Sequence, residues 1–267
     1  MQKETNRLIA IEAVKRVGKH FLFKFRKTAI PQTPDDFMKE LSDIEIECLE
    51  VLKSHVDPVY ENIPWADDDE FDKNSQKVPA SYDSYWLCDT MDGAIQYLQH
   101  IPGWTINLAL IEKGEVVFSV IYDPLTDECF YAERNSGAYL NGKIISPSAK
   151  KSSQNMVVVL EYGHQLKSSN NWKNDFSSSL VHLTEHFGVV RNYGPHGLQL
   201  AYIGAGRVDL FVQCDLDTHN WLAGILIAKE SGASILSADG KPWKWGDENL
   251  IVGTRPALDI YFKTKKS

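Results

Sequence analysis

The chain has 267 residues, 43% hydrophobic and 24% charged, the mix of a globular protein long enough for one large domain or two fused halves. With 28 Lys and Arg against 36 Asp and Glu, its formal charge of -8 argues against nucleic-acid backbones and anionic membranes as partners. The densest basic run, Lys263, Lys265 and Lys266, reads as a solvated chain end. No stretch approaches the roughly 20 apolar residues that span a bilayer, and Lys3, Glu4 and Arg7 interrupt the start of the chain where an export signal would be apolar. Cys48, Cys88, Cys129 and Cys214 have neither Cys-x-x-Cys nor zinc-site spacing, so free thiols and a cytoplasmic location are expected.

Apolar residues at helical spacing predict one helix over Thr5 to Phe25 and another over Phe37 to Leu52. Lys73 to Ser84, polar and carrying Pro79, reads as a loop that feeds a short apolar run, Tyr85 to Cys88. A helical stretch follows at Ala94 to Gln99, then strands at Trp104 to Ile111, Glu115 to Tyr122 and Glu128 to Glu133. Turn chemistry at Lys113-Gly114, Asp123-Pro124 and Asn141-Gly142 makes this half an antiparallel meander.

Beyond the polar segment Ser146 to Gln154 the pattern alternates. Strands are expected at Met156 to Leu160, Val189 to Asn192, Leu210 to Gln213 and Leu250 to Val252, with helices at Trp172 to Phe187, Gly197 to Gly204 and Trp221 to Ser231.

Chemistry concentrates between Cys88 and Ala94. Asp89 and Asp92 flank two residues and run into Gly93, which frees the backbone where a strand must turn into a helix. Carboxylates so placed suit a hard cation such as magnesium, which takes one or two of them and shares phosphate oxygens. The unpaired amides of a helix opening at Gly93 and Ala94 would meet the same phosphate. Taken alone, the motif also describes a capped turn with a solvated acidic face. A second acidic run, Asp67, Asp68, Asp69 and Glu70, follows Ile63-Pro64-Trp65-Ala66 and reads either as a solvated loop or as like charges relieved by a metal.

Trp86-Leu87-Cys88-Asp89-Thr90-Met91-Asp92-Gly93-Ala94 resembles the signature of the inositol monophosphatase family, Trp-Ile-x-Asp-Pro-Ile-Asp-Gly-Thr. Similar stretches follow in the family's order: Val120 to Pro124, Gly137 to Gly142, Ala201 to Phe211, and His219 to Gly224 leading to Glu230-Ser231-Gly232-Ala233. The resemblance implies a layered αβαβα sandwich of the α/β (α+β) class. Its N-terminal half, residues 1–145, would carry an antiparallel sheet and the metal loops; its C-terminal half, residues 146–267, would carry a mixed sheet, the third metal position and the substrate wall. It also implies hydrolysis of a small phosphorylated metabolite, with Mg2+ or Mn2+ as cofactor and a homodimer as the assembly. The attacking group would be water, activated by metal, so no covalent nucleophile is needed. Carried over by position, Asp89, Asp92 and the carbonyl of Met91 become metal ligands, the family's Glu-Glu pair falls on Asp67 and Asp68, and Gly93 and Ala94 offer amides to the phosphate.

Three departures stand out. Ala94 replaces the family's Thr, whose hydroxyl helps position the attacking water. Counting back ten positions from Glu230 puts the third metal aspartate on Asn220, an oxygen ligand without the charge. Asp67 and Asp68 are one methylene shorter than glutamates, and Asp69 and Glu70 blur their alignment. Where family members often carry Gly-Ser-Ala-Ala beside the leaving alcohol, this chain has Gly194-Pro195-His196-Gly197. His196 is therefore either a surface or capping residue, or a group that contacts the substrate or protonates its leaving oxygen. His219, beside Asn220, is either packing or a ligand. Those departures leave open a catalytically weakened relative that binds a metal, a ligand or a protein.

Overall fold

The structure, a computed structural model, describes residues 2–66, 73–162 and 172–265. Two long helices, α1 (Gln2–Lys24) and α2 (Pro34–Val56), open the chain. On α1, Ala10, Val14, Val17 and Phe21 recur at three- and four-residue steps and are all buried. The start of α2 is written locally: Thr33 caps it by accepting from the amide of Asp36, Pro34 fixes the first turn, and Asp35 and Asp36 complement the helix dipole. Its buried stripe of Ile44, Cys48, Leu52 and Val56 packs with that of α1.

The first sheet is an antiparallel meander in sequence order: β1 (Ser84–Asp92), β2 (Thr105–Glu112), β3 (Glu115–Asp123), β4 (Glu128–Glu133), β5 (Ala138–Leu140) and β6 (Lys143–Ile144). Its central strands are buried on both faces and therefore apolar throughout rather than alternating. One face, through Trp86, Leu108, Val120 and Tyr122, packs on α1 and α2. The other, through Tyr85, Leu87, Ala109 and Ile121, packs on Leu198, Leu222 and Leu226.

Those last residues belong to α6 (His196–Gly204) and α7 (Thr218–Ser231), which also cover the second sheet. That sheet is mixed, in the order β10 (Ser234–Leu236), β11 (Asn249–Gly253), β9 (Leu210–Cys214), β7 (Val157–Tyr162) and β8 (Val189–Arg191). Strands β7, β8 and β9 run parallel, and β10 and β11 are antiparallel additions. Its outer face packs on α5 (Trp172–His186) and α8 (Arg255–Thr264) through Leu183, Phe187, Leu258 and Tyr261. The layers are thus α1/α2, sheet, α6/α7, sheet, α5/α8, the αβαβα sandwich that the resemblance implies.

Several elements depart from the sequence reading. The segment from Lys73 begins with a short helix, α3 (Lys73–Lys77). Strand β1 does not stop at Cys88 but continues through both aspartates to Asp92. Helix α7 starts at Thr218 rather than Trp221, which places His219 and Asn220 inside its first turn. Strands β5, β6 and β10 are too short to carry a period, and α8 was not anticipated, although Thr254 caps it from the sequence Thr-Arg-Pro. All four cysteines are free thiols, and no helix among the described residues is long and apolar enough to cross a membrane.

Candidate active site

The geometry of β1 decides where the two aspartates go. Trp86, Cys88 and Met91 face α1 and α2, whereas Tyr85 and Leu87 face α6 and α7. Period-two alternation puts Asp89 on the α6/α7 face, but an unbroken strand would send Asp92, three residues on, to the opposite one. A register irregularity between Asp89 and Asp92 resets the alternation. Asp92 Oδ2 accepts from the amide of Gly197 at 2.9 Å and from Asn107 Nδ2 at 2.8 Å. Asn107 is the cross-strand partner of Asp89, so one asparagine on β2 stands against both carboxylates.

Two glycines permit this approach. A Cβ on Gly197 would lie 2.6 Å from Asn107 Nδ2 and 2.9 Å from Asp92 Oδ2. Gly93, at φ 90°, caps the short helix α4 (Ala94–Leu98), and a Cβ there would meet the Gly103 carbonyl at 2.7 Å. Ala94 packs its methyl against the α1/α2 core and offers no hydroxyl.

Asp92 is 6% exposed, and burial pushes its carboxyl up to about 6 against the opposing pull of His196, Asn107 and Gly197, with Asp217 adding to the rise. Among the described residues nothing donates to its Oδ1, while Oδ2 carries both hydrogen bonds. A buried carboxylate with one oxygen saturated and the other open fits a hard divalent cation.

Across from it, the carboxyl ends of the parallel strands build a polar wall, the usual ligand-binding edge of such sheets. Its hub is Asp217, the residue before α7. Asp217 Oδ2 accepts from His196 Nδ1 at 2.8 Å and from Gln213 Nε2 at 2.7 Å, and Oδ1 accepts from Asn220 Nδ2 at 2.7 Å. Gln213 in turn accepts from Trp221 Nε1 at 2.7 Å. Because a carboxylate only accepts, the amide of Asn220 must turn its nitrogen to Asp217. Beyond the imidazole stands Glu161, at the end of β7, with Oε2 at 3.7 Å from His196 Nε2 and accepting from Asn192 Nδ2 at 3.0 Å.

His196 is therefore no surface turn residue: it is the first residue of α6, its side chain is 15% exposed, and it lies between two carboxylates. Burial alone would lower its pKa, but the contacts with Asp217 and Glu161 and the charges of Asp217 and Asp92 hold it well above 6.5. With Nδ1 committed to Asp217, its imidazolium offsets one of the two carboxylates it lies between. His219 is structural, its amide donating to Gln76 Oε1 at 2.9 Å and its ring lying 3.2 Å from the Ser75 carbonyl, which ties α7 to α3.

Of the sequence-predicted residues, Asp92 bonds to the amide of Gly197, next to His196, and Asn220 is joined to His196 through Asp217; Asp89, Met91, Gly93 and Ala94 lie along the end of β1 and the start of α4, with Met91 in the strand irregularity between the aspartates. Asp67 and Asp68 lie outside the described residues. Among the described residues no three His, Cys, Asp or Glu side chains gather as a metal cage. Sequence reasoning missed Asn107, Glu161, Asn192, Gln213 and Asp217. Asn107 was visible as a lone amide inside an apolar strand, and Glu161 as an acid closing a buried one.

Two carboxylates brought to one face by a strand irregularity stand opposite a helix start and a polar strand edge, an oxygen-rich site inside an αβαβα sandwich. The chain belongs to the inositol monophosphatase family, whose sequence pattern it matches over residues 3–264. It is 35% identical to an inositol-1-monophosphatase of Rhizobium meliloti over 63% of this chain and 62% of that one, so the match spans under two thirds of that relative. It is 28% identical to a fructose-1,6-bisphosphatase/inositol-1-monophosphatase of Thermotoga maritima over 91% of this chain and 88% of that one. The inositol monophosphatase structure from Anabaena (Nostoc) sp. PCC 7120 shares the fold, with a TM-score of 0.80 at 20% identity over 100% of this chain and 97% of that chain.

Proposed function

We propose that the chain is a divalent-metal-dependent phosphomonoesterase that hydrolyses a small phosphorylated metabolite by direct attack of water. The observation that carries this reading is the strand irregularity that turns both Asp89 and Asp92 toward α6, with Asp92 pinned by Asn107 and Gly197. Family membership supports it independently. Asp89, Asp92, the Met91 carbonyl and Asn220 Oδ1 would hold Mg2+ or Mn2+, together with Asp67 or Asp68. Bound there, the cations would lower the pKa of the attacking water and offset charge on the phosphate in the in-line transition state.

The chain's own groups do the positioning. Amides of Gly93 and Ala94 would face the phosphate, and the buried, desolvated setting of Asp92 would strengthen every charge interaction beside it. Residues 1–145 supply the metal loops and residues 146–267 the third ligand and the wall. To test this, the purified protein is incubated with Mg2+ or Mn2+ and inositol phosphate, histidinol phosphate, 3′-phosphoadenosine 5′-phosphate or fructose 1,6-bisphosphate. At least one releases phosphate, and Asp89→Asn arrests that release; silence across the set removes the proposal.

A second reading, a metal- and ligand-binding relative without turnover, rests on Ala94 and Asn220. Hydrolysis that appears only in the double variant Ala94→Thr, Asn220→Asp would favour it. Turnover by the natural chain excludes it.

A further inference from the structure

The two carboxylates of the wall are not equivalent. Asp217 is saturated: His196, Gln213 and Asn220 all bond to it, across both of its oxygens. Glu161 is 6% exposed, yet only Oε2 has company, from Asn192 and His196. Its Oε1 is buried and, among the described residues, accepts no hydrogen bond. Leaving such an oxygen buried and unpaired is destabilising, so among the described residues it stands as an acceptor without a donor. Asp217 organises the wall, whereas Glu161 has an oxygen to give.

The position fits a role toward the leaving group. Glu161 closes β7 at the same strand edge that supplies Asn192, His196 and Asp217. The imidazole that touches it belongs to the residue before Gly197, whose amide holds Asp92. One imidazole therefore separates Glu161 from the carboxylate read as a metal ligand. That is the side on which the alcohol half of a phosphomonoester would project.

Charge narrows the class of alcohol. Glu161 and Asp217 face one imidazole between them, and Glu161's other partner is a neutral amide. Such a wall repels a second phosphate or a carboxylate on the substrate, whereas a charged donor makes a hydrogen bond to carboxylate roughly twice as strong as a neutral one. Resting on the phosphomonoesterase reading, we propose that Glu161 is a specificity-determining residue whose free Oε1 selects phosphomonoesters with a protonated amine on the leaving alcohol.

The test compares 2-aminoethyl and 3-aminopropyl phosphates with their hydroxyl counterparts, 2-hydroxyethyl and 3-hydroxypropyl phosphates, in the presence of Mg2+. For at least one chain length the amine ester has a kcat/KM at least tenfold higher, and in Glu161→Gln that ratio falls to within about threefold of unity. No preference in the natural protein, or one that survives Glu161→Gln, overturns the assignment; the first arm needs no variant to fold. Should none of these esters nor inositol phosphate be hydrolysed, the phosphomonoesterase reading fails by itself. Calorimetric titration of the same pairs with Mn2+ then decides: tighter binding of the amine ligand, lost in Glu161→Gln, sustains the assignment, and equal or absent binding of both overturns it.

Discussion

The acidic bend of the first sheet and the polar wall of the second meet at Asp92 but are built in opposite ways. In the bend, two carboxylates three residues apart are aimed first by backbone, through a strand irregularity, a glycine at φ 90° and a helix start, and then held by Asn107 and Gly197. In the wall, Glu161, Asn192, His196, Gln213, Asp217 and Asn220 come from separate strand ends and helix starts and are aimed by one another's hydrogen bonds. Backbone aiming tolerates little change, because moving one residue flips a carboxylate to the other face. Side-chain aiming can be rewritten one residue at a time. On the proposed reading, cation chemistry would sit in the rigid part, and selection of the alcohol in the part that can vary.

Gly197 is where the two regions touch, so Gly197→Ala gives the largest effect. Its methyl would enter the space of Asn107 Nδ2 and Asp92 Oδ2, at 2.6 and 2.9 Å, and a shift of about 1 Å there costs on the order of a hundredfold in phosphate release. Activity within threefold of the natural protein would show that the regions are not coupled through this glycine. As a contrast, Leu52→Ala, in the α1/α2 layer and fully buried, should cost about 2–5 kcal/mol in urea unfolding with KM unmoved. A changed KM would mean that the helical layer reaches the site.

The smallest effect is a change in pH dependence. The pKa of His196 is held well above 6.5 in the folded state, so its charge stabilises the fold fully below the unfolded value and less as pH rises through the folded one. Urea midpoints of His196→Gln measured from about pH 6 to pH 9 should therefore fall less steeply toward alkaline pH than those of the natural chain. Parallel profiles would mean that the imidazole is neutral and the wall is not built on charge.

These two modes of construction also explain what the sequence could reveal. The bend occupies consecutive residues with a glycine at the turn, and the long elements carry their periods, so Asp89, Asp92 and most helices and strands are legible. The apolar run of β1 stops at Cys88, and because aspartates are depleted in strands the continuation of the strand to Asp92 is not marked by residue type. The wall is invisible because nothing in the sequence says that Glu161, Asn192 and Asp217 share an edge; only the parallel order of β8, β7 and β9 does. His196 looked like turn chemistry between Pro195 and Gly197, and only tertiary contact makes it a buried cation.

The central claim is that the bend of β1 cages a cation against the wall. Calorimetric titration with Mn2+ in the presence of inorganic phosphate, on the natural chain and on Asp92→Asn, tests it directly. The expected result is saturable binding that weakens at least about a hundredfold in the variant, as for loss of a buried charged ligand. Absent binding, or equal binding in both proteins, would contradict it.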